Sequence, residues 1–205
     1  MGFYSEVILP WCIDLSCGMK ALAPEREKLL RGLSGSVLEV GFGSGLNLPF
    51  MPPDVTRVLA VEPSVRARKI AQKRVAAASC AVEFVGLDAQ VIQLEDGSAD
   101  AALSTFTLCT IPNVERALSE IRRILKPGGR LYVLEHGRAP DPGVSRWQDR
   151  LNGMQKVIAG GCNLNRDIRG LLRSAGFASE GVGGSYFKEM PRTHGYLYAG
   201  AAVRD

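Results

Sequence analysis

The segment Glu39-Val-Gly41-Phe-Gly43-Ser-Gly45 constrains this chain more than any other. It follows Val37-Leu38-Glu39-Val40, a short apolar run that reads as a buried strand. Alternate glycines directly after such a strand describe a sharp turn whose backbone can approach a ligand, because no Cβ stands in the way. In a doubly wound sheet that turn lies beyond the carboxyl end of a strand, at the switch point where ligands bind. A dinucleotide loop needs G-x-G-x-x-G, and Leu46 stands where its third glycine would come. A phosphate loop needs Lys and then Ser or Thr after its last glycine, and Leu46-Asn47 follow instead. The loop therefore suits a ligand without a pyrophosphate.

The rest of the chain alternates in a way that supplies the sheet. Apolar runs at Val58–Val61, Val82–Val85, Ala99–Phe106 and Leu131–Leu134 read as strands. Helical patterns over Ser64–Ala77 and Val114–Leu125 fall between them, the second stopped by Pro127-Gly128-Gly129. Such alternation predicts an α/β fold, a doubly wound Rossmann-like and mostly parallel sheet. Beyond Gly137 a loop at Ala139–Gly143 leads to a helix with Val144, Trp147, Leu151, Met154 and Ile158 on one face, broken by Gly160-Gly161. Asn165 is placed to cap a further helix ending at Gly176. Gly183–Phe187 and Tyr196–Val203 then read as an antiparallel hairpin at the sheet edge. Ahead of the sheet, Phe3, Val7, Ile8, Trp11, Leu15 and Met19 recur at helical spacing, interrupted by Pro10, and Pro24 opens a second short helix.

With 205 residues and no compositional break, the chain reads as one domain. Residues 1–33 read as a helical cap or lid, 36–137 as the ligand-binding core that carries the glycine loop, and 138–205 as further helices and edge strands on its open side. The five cysteines are odd in number and show no C-x-x-C, so neither a disulfide framework nor a metal site is expected, and a reducing cytoplasm fits best. A net charge of +4 without a basic, aromatic-laced groove argues against a nucleic-acid partner. No apolar run reaches the roughly 18 residues of a spanning helix. The apolar N-terminal helix is read as packing or a lid ahead of a membrane contact. It lacks the basic start of a signal peptide, and Glu6 stands where a myristoylation motif wants Ser or Thr. Nothing in the sequence speaks to oligomeric state.

Two acids follow the glycine loop in order. Glu62, with Pro63 and Ser64, closes the second strand about 20 residues on, where a carboxylate can accept both ribose hydroxyls of an adenosine. Each hydrogen bond to such a charged acceptor contributes about 1.5–3 kcal/mol. The competing reading is a cap network with Ser64 at the next helix. Asp88-Ala89, after the third strand, stands where an acid meets an adenine edge, although Asp is common in turns.

Glu39–Gly45, Glu62, Asp88, the strand Asp100–Phe106 and Leu125-Lys126-Pro127-Gly128-Gly129, taken together, resemble the class I S-adenosylmethionine-dependent methyltransferases. The resemblance implies S-adenosylmethionine as cofactor. It places Gly41, Phe42, Gly43, Gly45 and Asn47 around the methionine part and Glu39 toward its amino group. It places Glu62, Pro63 and Ser64 at the ribose, Asp88 and Ala89 at the adenine, and Thr105 and Phe106 near the sulfonium.

A narrower resemblance rests on Thr107-Leu-Cys-Thr-Ile-Pro112, Glu135-His136-Gly137, Trp147-Gln148 and Gly161-Cys-Asn-Leu-Asn-Arg166. These are similar to the methyltransferase-like 7 group, whose characterised members are thiol S-methyltransferases. It implies a small-molecule acceptor, most readily a thiol; N- or O-methylation of a lipid headgroup, quinone or other metabolite, and non-catalytic cofactor binding, are the alternatives. The N-terminus departs from the animal members in lacking their long hydrophobic anchor.

An activated methyl donor asks the protein mainly to position the acceptor and exclude water. A thiol of pKa about 8.5 is already partly ionised near neutrality. His136, at the end of the fifth strand, is the candidate for assisting deprotonation, with a structural hydrogen bond as the alternative. Trp11, Cys109, Trp147, Gln148, Cys162, Asn163 and Arg166 are the candidate pocket residues, with packing or salt-bridge roles as alternatives.

Overall fold

A computed structural model describes residues 4–205; Phe3, named above, lies outside them. Eight strands form one sheet in the order β3-β2-β1-β4-β5-β8-β6, with β7 paired to β8. Strands β1 (Gly35–Val40), β2 (Val55–Val61), β3 (Ala81–Gly86), β4 (Ala99–Thr105) and β5 (Leu125–His136) run parallel. Strands β6 (Phe177–Ala178), β7 (Val182–Tyr186) and β8 (Tyr196–Arg204) follow, with β8 antiparallel to β5, β6 and β7. The expected doubly wound sheet with an antiparallel edge is thus present, and the two-residue β6 is an addition that no sequence period announced.

Side-chain alternation splits the core between the two faces. Leu38, Val40, Leu59 and Val61 pack against α4 (Val114–Ile124) and α6 (Ile168–Ser174). Val37, Val58 and Ala60 pack instead against Leu22, against Leu30 of α2 (Ala23–Leu30) and against Ala71 of α3 (Val65–Ala76). Helix α4 is the simplest to derive. Val114, Ala117, Leu118, Ile121 and Ile124 form a buried stripe, and the Asn113 side chain accepts from Arg116 N to cap it. Ser64 caps α3 in the same way through Ala67 N at 3.1 Å.

Two features differ from the sequence reading. The cap of α6 is Asp167, which accepts from Gly170 N at 3.0 Å, because Asn165 donates instead to Asp149 at 2.8 Å. The Lys126–Gly129 turn lies inside β5, as a bulge over which the register jumps from Ala99↔Leu125 to Ala101↔Arg130. Lys126 Nζ pins it to Asp100 Oδ1 at 2.5 Å. The N-terminal helix is indeed in two parts, a π-helical turn at Tyr4–Ile8 and α1 (Leu9–Cys17), and Met19 lies beyond it. The long helix α5 spans Pro142–Ile158. No helix among the described residues is long and apolar enough to cross a membrane.

Gly200 shows how closely β8 sits on its neighbours. Its φ is +140°, and an added Cβ would stand 2.0 Å from the Gly181 carbonyl oxygen. Gly200→Ala should lower stability by about 2 kcal/mol or more, or about 4–8 °C in Tm for a domain of this size. Gly183→Ala, with open space around it, should leave Tm unchanged; equal melting of all three proteins would contradict this reading of the edge.

Candidate active site

Strand β1 has parallel neighbours on both sides, and the connection from β1 to β2 and that from β3 to β4 pack on opposite faces, so a crevice opens beyond its carboxyl end. A cavity of about 910 Å³ fills that crevice. Its floor is the glycine loop: Gly41 and Gly43 have φ of +72° and +57°, and a Cβ on Gly41 would strike Thr107. Gly41 N and Phe42 N donate to Val61 O at 3.0 and 3.2 Å, which draws the loop over the end of β2. Gly45 does not line the cavity; it is packed against Phe42 and Leu48.

Glu62, Pro63 and Ser64 form one wall. Glu62 is buried, and its two oxygens accept from Gly43 N and Ser64 N, both at 2.7 Å. Burial pushes its pKa up although these bonds oppose the shift. The same carboxylate joins the loop to the start of α3, as the cap-network reading has it, and borders the cavity, as the ribose reading requires. Asp88 and Ala89 line the next stretch. Asp88 is exposed and accepts from Gln90 N and Nε2, the first of which holds its pKa down. Thr105, Phe106 and Thr107 complete the floor at the end of β4. Phe106, at φ +53°, is the one non-glycine left-handed residue among those described, held by its N–H on Leu134 O at 2.9 Å. Strain of about 1–3 kcal/mol is retained mostly at binding sites.

Behind the floor lies a buried polar network that sequence reasoning only half found. Glu39 does not line the cavity. Its Oε1 accepts from Asn47 Nδ2 at 2.7 Å, and its Oε2 is buried without a partner. Asn47, which does line the cavity, accepts from Arg26 and donates to Thr105 Oγ1 at 3.0 Å. Arg26 was missed. Its signal was a cation in the apolar stripe of α2, with Leu29 and Leu30 at i+3 and i+4. Burial raises Glu39 to about 7 against its bonds to Asn47 and the charge of Arg26. Asp14 was missed too: it accepts from Ser44 Oγ at 2.5 Å and from Arg74 Nη1 at 2.8 Å, tying α1 to the glycine loop and α3. Leu9, Pro10, Ile13 and Cys17 of α1 consequently line the cavity.

None of the expected pocket residues lies on that lining. Trp11 is half exposed, with Arg66 5.6 Å from its ring. Trp147 is exposed on α5, with Arg150 over it. Gln148 is buried and bonds Ala139 N, Gly137 O and Thr193 O. Asn163 Nδ2 donates to Cys109 O and Gly161 O, both at 2.9 Å, and Arg166 donates to Leu108 O and Ile111 O. These polar groups are spent on loop carbonyls and amides. They shape the wall from behind. His136 is likewise off the lining: its Nε2 stands 2.9 Å from Cys162 Sγ, which is 3.7 Å from Cys109 Sγ. Burial pushes the His136 pKa down, and Cys162 more than reverses that. Glu135, given no role from sequence, accepts from Ser104 Oγ, Thr107 N and Leu108 N and so fixes the turn that carries Phe106 and Thr107.

A family model described as a methyltransferase domain matches residues 38–133. Thiol S-methyltransferase TMT1A of Homo sapiens is 34% identical over 172 residues, 80% of this chain and 70% of the human protein. The chain belongs to the class I S-adenosylmethionine-dependent methyltransferases. Its cofactor is accordingly S-adenosylmethionine. A second kind of relative, the ubiquinone/menaquinone biosynthesis C-methyltransferase UbiE of Methylobacterium nodulans, is 41% identical over 68 residues, 33% of this chain and 27% of that one. In fold, this methyltransferase resembles a solved SAM-dependent methyltransferase from Thermotoga maritima. The TM-score is 0.67 at 24% identity, over 99% of this chain and 98% of the other. The cavity fits the cofactor: its volume is in the range of ligand sites, and the unpaired Glu39 Oε2 lies behind its floor.

The raised pKa of Glu39 has a sign that can be tested. The folded state holds this proton more tightly than the unfolded chain, near 4.5. Its contribution is therefore full at low pH and lost as pH rises from about 4.5 to 7. Relative to wild type, Glu39→Gln should gain stability across that window and level off above it, as read by urea unfolding from pH 4.5 to 8. A difference independent of pH would contradict the assignment.

Proposed function

We propose that the protein transfers the methyl group of S-adenosylmethionine to the sulfur of a small thiol with an apolar tail. One observation carries the reading. Among the described residues no histidine or tyrosine lines the cavity, its carboxylates Glu62 and Asp88 are already engaged by Gly43 N, Ser64 N and Gln90, and Leu9, Pro10, Ile13, Ile111 and Pro112 make its acceptor side apolar. Amine and hydroxyl acceptors need a base to take a proton, whereas a thiol of pKa about 8.5 supplies its own anion. The likeness to a human thiol S-methyltransferase supports the same choice.

Bound S-adenosylmethionine supplies a methyl group already activated on a sulfonium. The chain's own residues then have three tasks. Glu62 holds the ribose hydroxyls and Asp88 and Ala89 the adenine edge. Gly41 and Gly43 admit the methionine part to close range, with Glu39, Asn47 and Arg26 fixing the polar floor below it. Helix α1 closes the cavity as a lid, excluding water so that an in-line approach of the thiolate is favoured over hydrolysis. His136, turned toward Cys162, has no part in this chemistry.

Purified protein incubated with S-adenosylmethionine and a series of alkyl thiols should form S-adenosylhomocysteine and the methyl thioether in equal amounts. The matched alcohols and amines should give background only. Turnover with an alcohol, amine or quinol and none with thiols would overturn the thiol assignment. Glu62→Ala should raise KM for S-adenosylmethionine at least about tenfold, or ~1.4 kcal/mol. An unchanged KM would remove Glu62 from the ribose.

A further inference from the structure

Cys109, His136 and Cys162 are far apart in sequence, and none belongs to the cavity lining. They come from the turn after β4, the end of β5 and the loop after α5. Their Sγ, Nε2 and Sγ atoms nevertheless all lie within 4.8 Å of one another. We propose that these three residues bind a soft divalent cation of the zinc class, in the wall between the cofactor cavity and α5. The proposal does not rest on the identity of the methyl acceptor.

The donor set comes first. Two thiols and an imidazole are the ligands that zinc takes in preference to oxygen-seeking cations. Cys109 and Cys162 are both buried, and buried thiols that pack for shape alone have no need of each other or of a ring nitrogen. The spacing comes next. Two sulfurs bound at about 2.3 Å to one tetrahedral ion stand about 3.8 Å apart, and the two Sγ atoms here are 3.7 Å apart. His136 Nε2, 2.9 Å from Cys162 Sγ, needs to open by about half an ångström to share that ion. Three protein donors leave one coordination position for an exogenous ligand.

A ligand set must be held by a rigid outer shell if it is to select its ion. Asn163 N and Nδ2 both donate to Cys109 O at 2.9 Å, fastening the two cysteine loops together. Arg166 clasps Leu108 O and Ile111 O on either side of Cys109. Gln148 braces Gly137, next to His136. Gly160 and Gly161, with φ of +59° and +94°, make the tight turn that delivers Cys162. The polar residues that do not contact the cavity thus converge on the segments carrying the three donors. Those segments also present Thr107, Thr110 and Gly160 to the cavity, so an ion there would stiffen its acceptor-side wall.

The test uses the whole protein, purified reduced and stripped of metal with a chelator. Titrated with zinc, it should take up about one ion per chain, and Tm should rise. Titrated with cobalt, it should show thiolate-to-metal charge-transfer absorption and the intense visible bands of a tetrahedral site. Zinc should also shield Cys109 and Cys162, but not exposed Cys12, from alkylation mapped by mass spectrometry, a readout that needs no variant. Cys162→Ser and His136→Asn should lose the cobalt bands and the zinc-induced rise in Tm, while Cys12→Ser keeps both. No zinc uptake by reduced wild type, or cobalt bands that survive in Cys162→Ser, would overturn the site. So would alkylation of both thiols at the same rate with and without zinc.

Discussion

Everything in this molecule depends on β1 being hydrogen-bonded on both sides to parallel strands. A parallel partner cannot be reached by a hairpin, so the chain leaves β1 through a long crossover, and the connections to β2 and β4 pass over opposite faces. The carboxyl end of β1 therefore opens into the crevice between those two connections, with α1 on its far side. The glycine loop starts there because left-handed turns are the way out of β1 that keeps Gly41 N and Phe42 N on the carbonyl of Val61. Glu62 follows from the same pairing, since β2 ends beside β1 and delivers a carboxylate to Gly43 N.

The cavity floor is costly to build. Glu39 is buried behind it and Asn47 and Arg26 are buried within it, and charged groups leave water at a penalty of several kcal/mol each. The network offsets part of that through mutual bonds and leaves one carboxylate oxygen of Glu39 unpaired. An apolar floor would be more stable and would have nothing to offer a cationic sulfonium amino acid. The left-handed Phe106 belongs to the same pattern. It is held by Leu134 O, while Glu135 secures the turn that follows it. Buried charge and a left-handed side chain, both of which a stability-optimised fold would discard, thus stand together at the cavity floor.

What the sequence disclosed, and what it hid, divides along physical lines. Gly41, Gly43, Glu62 and Ser64 were legible because their roles are set by local backbone geometry: a positive φ, a strand end, a helix cap. The stripe of α4 was legible because its period is local too. Arg26 was not, since its partners Asn47 and Thr105 reach it through tertiary contact. The Cys109–Cys162 contact joins residues 53 apart, and His136 meets Cys162 across 26. No spacing rule for metal or disulfide motifs covers such distances. Trp147, Gln148, Asn163 and Arg166 stood out by residue type and were placed in the pocket. Their side chains instead stack on a neighbouring cation or satisfy loop backbone, a demand that every buried turn makes and that composition does not reveal.

With the methyl donor in the crevice beyond β1 and β2, Glu62 is its proposed ribose anchor. A crystal structure of the complex with S-adenosylhomocysteine would show this. Its ribose hydroxyls should lie within hydrogen-bond distance of the Glu62 carboxylate, its adenine beside Asp88 and Ala89, and its sulfur beside Phe106 under α1. A nucleoside bound elsewhere, or one in the crevice with Glu62 touching only Gly43 N and Ser64 N, would contradict it.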